Sequence, residues 1–535
     1  MTRLLVPPHI ALAMAWGLLK IVARNGRLHV LKVRRPPASP WRLQRVLTLY
    51  GTGKSYRNAT TISMLTDNVL VEIFDFYRMD HDEWPFHLVW KWHLPAHVCR
   101  RWRQIIFASS RRLNLQIPCI DGTPVRKNLG IWPAIPIVME YGRFRGSITP
   151  GDEDNVIAAL EHPDRVCRIR LDMTRSELGR IARVMQEPFP VLTRLWIHSD
   201  KHAAILPSGF LGGSAPSLQK IVLFGVPYPA LPTLLLSASD LVELNLHDIP
   251  KTGYIPPEAM VASLAALPRL ETLYIGFEFD PFRADLLLPA TRAVLPALNY
   301  MSFSGVCEYL ENFLARIDAP QLNTIAIFYS DQFEVPQLSE FINRSENLKR
   351  TLSRYCRLLL GDFDDFLDFS IGGLTSDDEA KRSGRWEPGT GISVCIICKG
   401  RDQQIMHLTH LLGWISPILS DMVHFTIRFE SFMPEPFPEP EDLDDIEWLE
   451  FLRRFSSVRT LFVSGELAGH VSRALEDIPG AIATEVLPSL DLLCLEDEPV
   501  SSVDKFIDDR RDSGHPVTIV DTKREFDERL EAYPP

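Results

Sequence analysis

Cysteine is scarce in this chain, with 8 residues among 535, which is far too few for a framework of disulfide bonds. No stretch reaches the ~20 consecutive apolar residues that a membrane-spanning helix needs. Acidic side chains are absent from residues 1–66, which carry 11 Lys and Arg, so residues 67–535 hold 46 basic and 68 acidic groups. We expect a protein of a reducing compartment, cytoplasmic or nuclear. Nucleic acid is disfavoured as a partner of the acidic body, because phosphate binding needs a basic face.

Short catalytic motifs are also missing. The sequence contains no Gly-x-Ser-x-Gly elbow and no metalloprotease helix motif. The nearest approach to a metal site is Cys395 and Cys398 with His407 and His410, but its spacing is shorter than that of zinc sites. Two thiolates three residues apart on a strand face opposite sides, so they cannot reach one ion. We therefore predict no metal, no cofactor and no enzymatic activity.

The basic segment 1–63 allows more than one interpretation. A mitochondrial presequence is basic and free of acidic residues, as this segment is. A secretory signal fits less well, because only Arg3 precedes the apolar stretch. The interpretation that we favour is a disordered or spurious extension.

Residues 64–110 contain two apolar helical patterns separated by a turn-rich stretch around Pro85. The first pattern has three- and four-residue spacing through Leu65, Val69, Leu70, Ile73, Phe74 and Tyr77. The second runs through Trp92, Val98, Cys99, Trp102, Ile105 and Ile106. Two helices of this size bury too little surface to be stable alone, so we expect them to lean on the rest of the chain or on a partner.

Two segments of the sequence carry these patterns, one after the other. They read Met-Leu-Thr-Asp-Asn-Val-Leu-Val-Glu-Ile-Phe-Asp-Phe-Tyr at 64–77 and Leu-Pro-Ala-His-Val-Cys-Arg-Arg-Trp-Arg-Gln-Ile-Ile at 94–106. Together they resemble an F-box, and their continuation resembles the large F-box families of mushroom-forming fungi. Thr66 stands where the family has Pro, but Thr is itself a usable helix cap.

The resemblance implies docking on the Skp-type adaptor of a cullin–RING ubiquitin ligase. The positions that it assigns to the adaptor surface are Leu65, Val69, Leu70, Ile73, Phe74, Val98 and Cys99. Trp102 is implied as the residue that anchors the module. Such a surface would be an exposed apolar patch with the aromatic and aliphatic anchors of an interface hot spot.

A short pattern then repeats from residue 190 onward: apolar, two variable, apolar, one variable, apolar. Its first leucines, from Leu192 to Leu322, are 26, 23, 29, 28 and 24 residues apart, and it returns at Val458 and Leu490. This period is typical of leucine-rich repeats. We predict an α/β protein: a linker at 111–165 leads from the all-α F-box module at 64–110 to an irregular leucine-rich-repeat-like solenoid at 166–535. A helix around Phe506 and a strand at 517–520 would cap it.

Strand alternation places the residues between the repeated apolar positions on the opposite, concave face. This face would hold Trp196, His198, Val222, Phe224, Asn245, His247, Tyr274, Ser302, Phe328 and Phe462. The candidate substrate-binding residues are Trp196, His198, Phe224, Asn245, His247, Tyr274, Ser302 and Phe328. Aromatic residues and a lack of charge are features of interface cores. The alternative is that a helix, loop or neighbouring turn covers these rings.

The sequence thus predicts the substrate-recognition subunit of an SCF-type ubiquitin ligase. Its partners would be a Skp-type adaptor, through it a cullin–RING ligase, and an unknown protein substrate. The alternatives are a repeat scaffold without ligase contact, for which the departure at Thr66 is the sequence hint, and a mitochondrial protein directed by residues 1–63.

Overall fold

The chain forms two compact units in the computed structural model. One comprises Met1–Pro118 with Thr123–Val138, and the other comprises Cys119–Gly122 with Met139–Pro535. The residues that the structure describes are 66–71, 74, 98–108, 115–119, 124–131, 134, 136–142, 148–199, 204–278, 291–329, 336–352, 355–361, 366–372, 391–397, 407, 422–430, 448–478, 483–496 and 498–520. The segment 1–63 lies outside them.

The first unit is built on short helices. Residues 67–71 are helical, and they are followed by α1 (Arg100–Ala108), β1 (Leu115–Pro118) and α2 (Val125–Ile131). In α1 the apolar residues Trp102, Ile105 and Ile106 are buried, while Arg103 and Gln104 between them are exposed. This spacing gives the helix one apolar face, which becomes the core of the unit.

The second unit alternates strands and helices, as the sequence predicts for an α/β protein. Its helices are α3 (Pro150–Leu160), α4 (Arg175–Ile181), α5 (Leu231–Leu235), α6 (Pro257–Leu264), α7 (Cys307–Leu314), α8 (Pro336–Arg344), α9 (Glu346–Thr351), α10 (Trp448–Leu452), α11 (Glu466–Glu476) and α12 (Asp504–Asp512). The strand β2 (Ile137–Tyr141) crosses the boundary between the units. The described residues of the segment 111–165, expected as a linker, therefore form two helices and two strands.

The strands of the second unit form one large, mostly parallel sheet. They are β3 (Val166–Met173), β4 (Arg194–Ser199), β5 (Lys220–Phe224), β6 (Glu243–Ile249), β7 (Thr272–Phe277), β9 (Tyr300–Ser304), β11 (Thr324–Tyr329), β12 (Tyr355–Gly361), β13 (Phe366–Gly372), β14 (Gly391–Ile397), β15 (His424–Glu430), β16 (Thr460–Ser464), β17 (Leu492–Leu495) and β18 (Thr518–Val520). Their spatial order is β3-β4-β5-β6-β7-β9-β11-β14-β13-β12-β15-β16-β17-β18. The short strands β8 (Ala293–Val294) and β10 (Ile317–Asp318) pair separately.

A proline turn introduces six of these strands. Pro190, Pro216, Pro268, Pro296, Pro320 and Pro488 each lie four residues before the first residue of their strand. Each is the second residue of a turn that is closed by a backbone hydrogen bond, such as Leu218 N–H to the Ala215 carbonyl at 3.2 Å. Proline fits this position because its fixed φ is the one that the turn requires. The prolines thus belong to the turn that precedes each strand.

A second recurring device fixes the register between neighbouring strands. The carbonyl of Gln219 accepts the backbone N–H groups of Val242 and Glu243 at 2.8 and 3.0 Å. The same bifurcated arrangement recurs at the carbonyls of Thr193, Val242, Glu271, Asn299, Val423 and Arg459. Each carbonyl just before one strand therefore accepts hydrogen bonds from the first residues of the next strand. These bonds align the apolar positions of successive strands.

The regular progression breaks after β11. The chain reaches β12 first, returns through the antiparallel strand β13, and only then adds β14 beside β11. Gly391 pairs with Gly372 across β13 and β14, with a φ of 127°, and a Cβ at Gly391 would clash with the Ile371 carbonyl. Glycine is required there. The repeat pattern did not predict this antiparallel strand.

Candidate functional site

Strand register places most of the predicted substrate-binding residues in rows across the sheet. One row aligns Asp172, His198, Phe224 and His247 on β3–β6. The next aligns Trp196, Val222, Asn245, Tyr274 and Ser302 on β4–β9. The alternating residues on the opposite face, such as Leu195 and Ile197, are buried. The predicted alternation is therefore confirmed on these strands.

Five rings on β4–β7 form a continuous series, which we call the ring ladder: Trp196, His198, Phe224, His247 and Tyr274. Successive ring centroids are 5.9, 5.4, 4.6 and 3.9 Å apart. The rings of Phe224 and His247 are stacked within 14°, and those of His247 and Tyr274 within 28°. All five rings are half-buried. Since His247 has a ring on each face, the part of it that remains exposed is its edge.

Side chains of the neighbouring strand β3 hold one end of the ring ladder. His198 Nδ1 is 2.8 Å from Asp172 Oδ1, which fixes the orientation of the imidazole. The Arg170 guanidinium carbon lies 4.5 Å from the centroid of the Trp196 ring, a cation–π distance. Neither Arg170 nor Asp172 was among the residues predicted from sequence, because β3 lacks the repeated leucine pattern. The apolar–polar alternation of β3 is the signal that could have revealed them.

The other end of the ring ladder is a tyrosine in a confined setting. Burial, with a smaller contribution from Asp248, raises the pKa of Tyr274 to about 12, so its hydroxyl is neutral at physiological pH. Gly276 allows the ring to lie where it does, because a Cβ at this position would be 2.9 Å from Tyr274 Cε1. The neutral hydroxyl can both donate and accept a hydrogen bond.

The face that carries the ring ladder is rich in charged residues toward its first strands. Strand alternation places on it Arg168, Arg170, Asp172, Arg194, Lys220 and Glu243. Four of these six are Arg or Lys. Lys220 Nζ lies 2.7 Å from Glu243 Oε2, and Asn245 Nδ2 donates to Glu243 Oε1 at 2.7 Å.

Val222, which lies within the rows of the ring ladder, is 6% exposed and therefore buried. Three more of the face residues named from sequence stand apart from the ring ladder. Ser302 is 1% exposed, so the structure removes it from the accessible surface. Phe328 is exposed, but β9 separates its strand from Tyr274. Phe462 is 2% exposed and clusters with Leu492, Cys494 and Val520. Alternation fixes the face on which a side chain lies, but not whether other residues cover it.

The predicted adaptor surface divides into exposed and buried residues. Val69 and Val98 are 44% and 42% exposed, and Cys99 is also exposed. Leu70 and Phe74, which were expected to contact the adaptor, are instead buried. Leu65 and Ile73 lie outside the described residues.

The buried residues of this module pack on α1. The Phe74 and Trp102 rings meet edge to face, with centroids 4.9 Å apart. An ion pair of 2.7 Å between Asp67 and Arg101 links the same two segments. Leu70 and Phe74 therefore serve the core of the unit, which leaves Val69, Val98 and Cys99 at its surface.

Within the described part of the chain, no group of three potential metal ligands comes together. Of the four residues considered for zinc, His407 is buried and Cys395 partly exposed, while Cys398 and His410 lie outside the described residues. Among the described helices, none is long and apolar enough to cross a membrane.

No protein-family model matches this chain, and no curated protein is similar enough to it to count as a relative.

Proposed function

We propose that this chain is the substrate-recognition subunit of an SCF-type ubiquitin ligase, in which an F-box binds the Skp-type adaptor and a leucine-rich-repeat-like domain binds a protein target. The observation that carries the proposal is the exposure of Val69, Val98 and Cys99 on a module whose other described apolar side chains are mostly buried. Exposed aliphatic side chains beside a packed aromatic core are typical of a surface that a partner covers.

The start of the helix supports the same proposal. Thr66 departs from the family pattern, yet its carbonyl accepts the Leu70 N–H at 3.0 Å. The helix therefore begins where the family's helix would begin, although proline is absent. This hydrogen bond weakens the alternative of a scaffold without ligase contact, for which the departure at Thr66 was the sequence hint.

The proposed mechanism is proximity. The subunit would supply no nucleophile of its own. By holding a target near the charged conjugating enzyme, it would raise the effective concentration of the target's lysines. The residues that matter are then those of the two binding surfaces.

Co-expression of the full chain with a fungal Skp-type adaptor, followed by affinity purification, tests the proposal. The informative variant is Val69→Asp/Val98→Asp, because both side chains are exposed and the charges should spare the fold. Leu236→Asp is the control: Leu236 is 62% exposed and belongs to the second unit. We expect a stoichiometric complex with the wild type and with L236D, and none with the double variant.

Two outcomes would overturn the proposal. Folded wild-type protein that forms no complex would leave a repeat scaffold for protein–protein interaction. A double variant that binds the adaptor as well as wild type would show that these valines do not form the interface. Imaging the chain with and without residues 1–63 would separate the remaining alternative of a mitochondrial protein.

A further inference from the structure

We propose that Glu311 is a proton-controlled clasp between α7 and α8, which stays closed while its carboxyl group keeps a proton and opens more readily once the proton is lost. Glu311 lies on α7, and its two carboxyl oxygens accept the N–H groups of Gln337 and Leu338 in the first turn of α8, at 2.6 and 3.1 Å. The inference is independent of the proposed ligase function, because all three residues belong to the second unit.

The first argument is that the start of α8 depends on this side chain. The first four N–H groups of an α-helix have no partner within the helix. Pro336 has no N–H, so Gln337 and Leu338 are the first two donors of α8, and Glu311, 26 and 27 residues away in sequence, accepts both. A residue of another helix thus fills the place of a local N-cap. Breaking these two contacts would free the first turn of α8.

The second argument is that the carboxyl group is buried away from cations. Glu311 is 3% exposed. Two arginines close in sequence to the clasp, Arg316 after α7 and Arg344 at the end of α8, pair with Glu258 and Glu340, each at 2.7 Å. A charged carboxylate in such a place loses its hydration without gaining an ion pair. Burial accordingly raises the pKa of Glu311 to about 7, against the two hydrogen bonds that lower it.

The third argument is that the neighbouring groups do not stabilise a negative charge. Tyr329 on β11 is 2% exposed, and burial first, then nearby acids that include Glu311, raises its pKa well above the ordinary value. The Gln337 side-chain oxygen, at the start of α8, is a buried acceptor without a donor. Neutral or acceptor groups favour the protonated carboxyl. The other titratable groups described on the elements that pack here are Cys307, Glu308 and Tyr309 on α7, Arg316 after it, Glu258 on α6, Asp318 on β10, and Glu340 and Arg344 on α8.

The direction of the pH response follows from these states. Opening exposes the carboxyl group to water, where its ordinary pKa is 4.5, so the closed form holds the proton more tightly than the open form does. The equilibrium constant for opening should therefore rise by about tenfold between pH 6 and pH 8, and level off above that.

Hydrogen exchange of the full chain at pH 6, 7 and 8, resolved to single residues by mass spectrometry and corrected for the intrinsic exchange rate at each pH, tests the inference. The reporters are the N–H groups of Gln337 and Leu338, whose protection should fall about tenfold over this range. The internal control is the N–H of Lys505 at the start of α12, which the exposed Glu476 carboxylate accepts at 3.2 Å. Its protection should change less than about twofold, because an exposed carboxylate is already charged at pH 6.

Two variants assign the response to one residue. Glu311→Gln keeps a neutral side chain at every pH, so the protection of Gln337 and Leu338 should become independent of pH. The matched control Glu476→Gln should leave their tenfold response as in the wild type. Wild-type protection that stays constant from pH 6 to pH 8, or an E311Q variant that keeps the full response, would overturn the inference. The comparison of the two helix starts in the wild type tests it without any substitution.

Discussion

Apart from the buried Val222, this face of the sheet is half-exposed along the rings of β4–β7, whereas its central row is buried on β15–β17. Trp196 and Tyr274 keep part of their rings accessible, whereas Thr426, Phe462 and Cys494, in the corresponding row, are 5%, 2% and 0% exposed. Both regions follow the same apolar–polar alternation of strands. The difference teaches that the repeat decides the face of a residue, while neighbouring elements decide whether that face becomes core or surface.

The distal region gains its extra burial from its last elements. Phe462 packs in a cluster with Leu492, Cys494 and Val520, which come from β17 and β18. Arg510 on α12 is 1% exposed and donates to four carbonyl groups of the segment that precedes β17. The distal region therefore serves stability, whereas the rings of the ring ladder stay partly accessible.

The largest expected difference in unfolding free energy is between substitutions of two phenylalanines on this face. Phe462→Ala removes a fully buried ring and should lower the free energy of unfolding by about 3–5 kcal/mol. Phe224→Ala removes a half-buried ring and should lower it by roughly 1 kcal/mol. Urea denaturation of the two variants measures the contrast. Equal losses would show that the two regions are packed alike.

The next effect concerns two adjacent arginines of α12. Arg510→Met should cost about 3 kcal/mol, because the carbonyls of Val486, Leu487, Pro488 and Leu490 lose their donors in a buried site. The control Arg511→Met removes only an exposed ion pair with Asp508 and should cost under about 0.5 kcal/mol. Thermal unfolding of both proteins tests this, and similar melting temperatures would contradict it.

Sequence reasoning succeeded where a local pattern determines the outcome. The spaced leucines predicted β4, β5, β6, β7, β9 and β11, and alternation predicted their faces, because side-chain period is a local property. The repeat pattern did not predict the antiparallel strand β13, because side-chain periodicity carries no information about strand direction. Phe74 and Phe462 were assigned to surfaces for a related reason: each is covered by residues distant in sequence, Trp102 in one case and Val520 in the other.

A third prediction concerns a buried carboxyl group between α7 and α8, the helices on either side of β11, after which the regular strand order ends. Glu311 on α7 is 3% exposed and accepts the backbone N–H groups of Gln337 and Leu338 at the start of α8, at 2.6 and 3.1 Å. Burial raises the pKa of Glu311 to about 7 from an ordinary value of 4.5, against these two hydrogen bonds. The folded protein therefore binds more protons than the unfolded chain between these values.

Stability should consequently fall as the pH rises from 4.5 to 7, by on the order of 2 kcal/mol from this group. Glu311→Gln removes the titrating carboxyl, so its stability should change less over the same window. Denaturation curves of both proteins at pH 5 and pH 7 measure the difference. Parallel pH dependence would show that Glu311 does not titrate there.

The smallest effect compares two histidines, one from each region. His198→Phe keeps a ring in the ladder and loses the hydrogen bond to Asp172, a half-exposed contact, so it should cost under about 0.5 kcal/mol. His424→Phe removes the hydrogen-bond partner of the Thr460 hydroxyl, because His424 Nδ1 lies 2.8 Å from Thr460 Oγ1. Thr460 is 0% exposed. Leaving that hydroxyl buried and unpaired should cost about 1–2 kcal/mol. If urea denaturation gave the two variants the same cost, exposure would not distinguish the regions, and the argument for the ring ladder as the binding surface would lose its basis.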